Sequence, residues 1–123
     1  MTTDRMFNMK KLLIILAAIL AVLVFAFCLI RIHNGNIRQR GREDGYREGY
    51  LTGQADRLNG KEFNTTNALQ HAFPANFFEQ IRSRDEELHY NAFHQAWPSG
   101  YYDGWYGIPP WSEVDMSAQR WSP

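Results

Sequence analysis

Leu12–Ile30 reads LLIILAAILAVLVFAFCLI, nineteen residues without a charge, a glycine or a proline. As a helix rising ~1.5 Å per residue it covers roughly 28 Å, close to the ~30 Å hydrocarbon core of a bilayer. A surface helix of a globular protein keeps one polar face, whereas this run is apolar all round. The expected fold class is therefore mostly α. One N-terminal transmembrane helix precedes a small helical extramembrane region with an aromatic, Gly/Pro-rich tail.

The flanks of the run suggest an uncleaved anchor. Residues 1–11, MTTDRMFNMKK, form a polar tail whose Lys10 and Lys11 meet the apolar run, as in a secretory signal. The run is longer than the ~7–15 residues of a signal core, and no Ala-x-Ala cleavage site follows it. Phe27 precedes Cys28, where a lipoprotein signal needs a small residue. Residues 31–40, RIHNGNIRQR, read as a basic juxtamembrane linker in which Gly35 ends the helix. Arg31, Arg38, Arg40 and Arg42 are candidate lipid-headgroup contacts, at ~1 kcal/mol each on an anionic surface. The Lys/Arg balance leans slightly towards a cytoplasmic C-terminal part. Ala17 and Ala21 are four apart and offer a weak surface for helix self-association.

Residues 41–60, GREDGYREGYLTGQADRLNG, carry glycines at 41, 45, 49 and 53. On a helix Gly45, Gly49, Gly53 and Gly60 share one side, with Tyr46 and Tyr50 as an adjacent ridge. Each glycine costs about 1 kcal/mol against alanine in a helix, so regular spacing implies a compensating close approach by another element. On this reading Gly49→Leu disrupts packing and Arg47→Ala is mild. Residues 61–74 read as a polar connection, in which Asn64-Thr65-Thr66 matches a glycosylation sequon. A second helix is expected over 76–97, capped by Asn76 with Glu79 and stopped by Pro98. Beyond it, Gly100-Tyr101-Tyr102-Asp103-Gly104-Trp105 echoes Gly45-Tyr46-Arg47-Glu48-Gly49-Tyr50. The two copies are read as one device packing glycine face to glycine face, within a small helical region, 41–108. Residues 109–123 form an extended tail with Trp111 and Trp121.

Composition narrows the function. Formal net charge is zero, so no global basic field points to nucleic acid. The single cysteine, Cys28, excludes an intramolecular disulfide. Glu86-x-x-His89 occurs once, where helical di-iron sites need two copies and two further glutamates. No phosphate loop, Gly-x-Ser-x-Gly elbow or His-Glu-x-x-His motif is present. No catalytic, cofactor or metal site is expected, and no enzyme. Residues 31–123 hold fifteen aromatics against nine Ile, Leu or Val, so any core there is built from rings.

Gly45-Tyr46-x-x-Gly49, followed by Trp97-x-x-Gly100 and Gly104-Trp105, resembles the motif pattern of ribosome modulation factor and similar phage-borne proteins. The resemblance implies a compact helical module that binds ribosomal RNA. It covers two short patches, and the gap between them is longer here. The residues themselves favour a non-catalytic single-pass accessory, assembly or regulatory protein acting through contacts with another membrane protein. Its expected partner surface is Gly45, Tyr46, Gly49, Tyr50, Gly53, Trp97, Tyr101, Tyr102, Trp105 and Trp111, because Tyr and Trp anchor interfaces. The alternative is a small envelope effector, such as a phage-type lysis or exclusion protein.

Overall fold

The computed structural model describes residues 2–73 and 78–118. It is mostly helical, with no strand among the described residues. Among the described residues the α-helices are, in order, α1 (Thr2–Leu58), α2 (Thr65–Ala72) and α3 (Arg84–Tyr106), with a 3₁₀ turn at Phe78–Gln80. The chain divides into two compact units, Met1–His33 and Asn34–Pro123.

The first unit is helix alone. Its apolar window has no buried residue, and Leu12, Ile14, Val22, Phe25 and Ile30 all stand exposed. It is long and apolar enough to be a candidate membrane span.

In the second unit, the end of α1 and the whole of α3 lie backbone to backbone. A methyl built on Gly41, Gly45, Gly49 or Gly53 would overlap the carbonyl oxygen of His89, Phe93, Trp97 or Tyr101 respectively. In return, a methyl on Gly100 or Gly104 would overlap the carbonyl oxygen of Tyr46 or Tyr50. Partner numbers rise together, four by four, so the two helices run parallel. A parallel pair cannot be joined by a tight turn, and the connection through α2 makes the return. Glycine Cα–H groups facing carbonyls across a helix contact form weak hydrogen bonds, which help offset the poor helix propensity of glycine.

The reciprocal contacts fix the internal repeat. Gly49 faces Trp97 as Gly100 faces Tyr46, and Gly53 faces Tyr101 as Gly104 faces Tyr50. The equivalent stretches are Tyr46-x-x-Gly49-Tyr50-x-x-Gly53 and Trp97-x-x-Gly100-Tyr101-x-x-Gly104, related by an approximate two-fold. The expected face-to-face glycine packing is present, but its register differs by one helical turn from the echo read in the sequence. That echo aligned Gly45 with Gly100; the packing aligns Gly49 with it.

Two covers close the flanks of the seam. On one side Phe93, Trp97 and Tyr101 pack with Ala68 and Phe73, joined by Phe63, Leu69, Tyr90 and Trp105. On the other, Tyr46, Tyr50 and Ala96 pack with Val114, joined by Trp111 and Met116 from the tail. The tail is thus docked through the described residues; Trp121 lies outside them.

Several boundaries differ from expectation. α1 passes through Gly35 without ending, since Gly35 costs some helix propensity but breaks no hydrogen bond. It ends instead at Gly60, whose φ of 69° lets Lys61 N–H reach the Asp56 carbonyl at 2.9 Å. α3 ends the same way: Gly107 turns left-handed and Ile108 N–H reaches the Asp103 carbonyl at 2.9 Å. Pro98 lies inside α3 rather than stopping it. The N-cap of α3 is Ser83, whose Oγ accepts from Glu86 N–H, while Glu86 Oε2 accepts from Arg82 N–H. The expected Asn76 cap lies outside the described residues. The 61–74 connection contains α2, capped by Asn64 through Asn67 N–H.

Candidate functional site

The residues expected on a partner surface are drawn together by the structure, but most of them face one another inside the second unit. Tyr46 and Tyr101 are 0% exposed and Trp97 is 1% exposed. Gly45, Gly49, Gly53 and Tyr50 are buried with them. Trp105 and Trp111 are half-buried against the two covers, and only Tyr102 stays exposed, at 47%. The area of the buried residues is already consumed by the fold, because the chain supplies its own covers from 61–73 and 108–116.

Polar tips in this core are tied down. Tyr46 Oη donates to Asp103 Oδ2 at 2.6 Å and accepts from Trp111 N–H at 3.3 Å. The Trp111 ring stacks on Tyr46 with centroids 4.0 Å apart. Tyr101 Oη donates to Asp56 Oδ2 at 2.8 Å, and Tyr50 Oη donates to the Ile108 carbonyl at 2.7 Å. Burial, with the Asp56 carboxylate beside it, pushes the Tyr101 hydroxyl up to about 12. Burial and Asp103 raise Tyr46 further. Asp103 sits within α3 as the acceptor that satisfies Tyr46.

A second polar chain crosses from α3 to the tail. His89 Nε2 lies 3.0 Å from Asp44 Oδ2, and Arg47 Nη1 donates to Asp44 Oδ1 at 2.8 Å. Arg47 Nε then donates to the Asp115 carbonyl at 2.7 Å. Arg47 is 4% exposed. Burial alone would raise the Asp44 carboxyl, but His89 and Arg47 outweigh it and hold the group below its ordinary value. Phe63 was also missed: its ring meets Tyr101, Tyr102, Trp105 and Tyr106 at centroid distances of 5.5 to 5.8 Å. Isolated in a polar stretch, it carries no periodic signal.

Arg31, Arg38, Arg40 and Arg42 are all exposed. Arg42 pairs loosely with Glu113 at 3.6 Å and lies over the Trp111 ring, 5.0 Å from its centroid. Arg38 and Arg42 line an open groove of ≈ 960 Å³ within the second unit, between α1, α3 and the tail. Glu86, part of the Glu-x-x-His pattern, serves the α3 cap. Among the described residues no group of three or more His, Cys, Asp or Glu is placed to hold a metal ion.

No family model matches the chain, and neither the curated proteins nor the solved structures contain a match. The residues that carry the likeness to ribosome modulation factor have a local physical role here. Gly45, Tyr46, Gly49, Trp97, Gly100 and Gly104 are all buried in the helix seam.

Proposed function

We propose that the chain is a non-catalytic single-pass membrane protein, an accessory or regulatory subunit that carries a self-covered helical unit on one anchor. One observation supports the reading above others. Among the described residues most of the aromatic surface is covered by the chain itself, whereas the exposed large apolar side chains fall mostly between Met6 and Ile32. A run of that size left in water exceeds what soluble monomers tolerate, and lipid is the cover that suits a helix apolar on every side. Contacts with a membrane partner then fall to what remains outside the core, including Tyr102 and Tyr106 on α3. The arginines that follow the run favour the cytoplasmic side for residues 34–123.

The test is carbonate extraction of native membranes combined with N-terminal sequencing of the mature chain. Retention in the pellet with residues 1–11 intact is the expected result. A mature chain beginning beyond Ile30 would identify the run as a removed signal and overturn the proposal.

A further inference from the structure

The approximate two-fold of the seam leaves one place on the second unit unmatched. Continued two turns towards the helix N-termini, the alignment of α1 with α3 carries Gln39, Arg42 and Glu43 onto Tyr90, Phe93 and His94. It also carries Gly41 and Gly45 onto Ala92 and Ala96, the small residues that extend the stripe on α3. Gly41 and Ala92 do meet across the seam, since a Cβ built on Gly41 would lie 3.1 Å from that of Ala92.

The two flanks treat these positions differently. On the α2 flank, Phe73 packs its ring on Phe93 and His94 at centroid distances of 5.2 and 5.3 Å. Leu69, Ala72 and Tyr90 join the same cluster. On the tail flank the cover reaches Tyr46, Tyr50 and Ala96. Beside it, at Gln39, Arg42 and Glu43, lies the open groove of ≈ 960 Å³. The groove is therefore the two-fold counterpart of the seat that α2 fills.

Its extent and chemistry suit a helix like α2. From Gly35 to Glu43 the α1 wall rises roughly 12 Å, and the eight residues of α2 rise the same distance. Ala92, Ala96 and Val114 make a small, apolar floor, and small side chains let a helix approach closely. Arg38 and Arg42 stand against Glu43 and Glu113, so the groove selects no net charge. The Arg42–Glu113 pair is 3.6 Å long and exposed on both sides, so it exchanges readily. Such rims match a helix whose apolar stripe is flanked by side chains of both signs. A second copy offers no spare α2, because Ala68 and Phe73 are buried on its own seam.

We propose that the groove receives a two-turn amphipathic helix of a different protein, its apolar stripe on Ala92, Ala96 and Val114, as α2 is seated on the other flank. The proposal rests on the accessory-subunit reading above.

The test places photoreactive benzoylphenylalanine at Gln95, on the groove rim, in the full chain in native membranes. Arg40, exposed on α1 and outside the groove, is the control position. Irradiation should join position 95, and not position 40, to one protein. The joined residues should lie in a helix whose apolar side chains recur every three or four positions. A synthetic peptide of that segment should bind the purified full chain. Its affinity should fall at least about ten-fold in Ser99→Trp and in Gln39→Trp, which fill the groove from exposed positions on α3 and α1. Circular dichroism checks that both variants keep the fold. Crosslinks to a second copy, to residues 119–123 of the same chain or to no protein would overturn the proposal. Peptide binding unchanged in both variants would do the same. Carbonate extraction of the same membranes reports the anchor separately. If the chain left the pellet while crosslink and peptide binding persisted, the anchor would fail and the groove would stand.

Discussion

At Gly49 a side chain has nowhere to go, because a Cβ would overlap the Trp97 carbonyl and crowd the Tyr101 nitrogen at 2.9 Å. Backbone cannot move aside without opening the seam. Gly49→Ala is therefore expected to destabilise the second unit by roughly 3 kcal/mol or more, despite alanine's better helix propensity. Gly35 is the control, since its Cβ would meet nothing within 4 Å. Gly35→Ala should stabilise by about 0.5–1 kcal/mol. Urea melts of the two variants check both signs, and equal shifts would refute the backbone contact. Arg47 reverses a sequence expectation. It reads as a solvated helix residue, yet it is buried and joins Asp44 to the Asp115 carbonyl. Arg47→Ala should cost about 3 kcal/mol, because it takes one of two partners from a half-buried carboxylate and leaves a tail carbonyl without its side-chain donor. The partner that buries Arg47 lies 68 positions away, and periodicity carries no information at that distance.

The glycine ladder on α1 was legible because a period of four on a helix can only make one smooth stripe. The matching stripe on α3 was half legible. Pro98 disguised it, since proline inside a helix costs ~3 kcal/mol and normally marks an end. Packed seam residues on both sides of it, Trp97 and Gly100, hold α3 through that position. The candidate site was legible as a set of residues that belong together, but not as to what they face. Tyrosine ionisation tests the pairing of the two helices. Folding raises the hydroxyls of Tyr46 and Tyr101, so their contribution is complete below the ordinary value of 10.0 and fades as pH climbs towards about 12. Absorbance near 295 nm should show these two rings ionising late, together with loss of helical dichroism. Independent, early ionisation would mean that neither hydroxyl is held. Asp44 sets the acid side with the opposite sign. Its folded value is lowered, so its contribution is present above 3.8 and is lost as pH falls through the folded value. In Asp44→Asn that acid-side loss should shrink.

For the molecule as a whole, the two units present different surfaces. Among the described residues outside 6–32 the exposed large hydrophobics are Leu58, Tyr102, Tyr106 and Ile108, a sparse scatter. The second unit also has few aliphatic residues, so its core depends on ring stacking and on tyrosines whose hydroxyls find acceptors. Such a core is cooperative. Removing either cover exposes one flank of the seam and the rings packed there. Residues 34–123 expressed without the apolar helix should therefore be soluble and melt in one transition. The buried Trp97 should give blue-shifted emission resistant to acrylamide, in the absence of lipid. Truncation after Pro110 removes Trp111 and Val114 from the Tyr46 flank, and should lower the midpoint and admit quencher. If the longer fragment were instead red-shifted, quenchable and without a cooperative transition, the self-covered unit would be wrong. The aromatic residues would then have to be covered by a partner protein, as the sequence alone suggests.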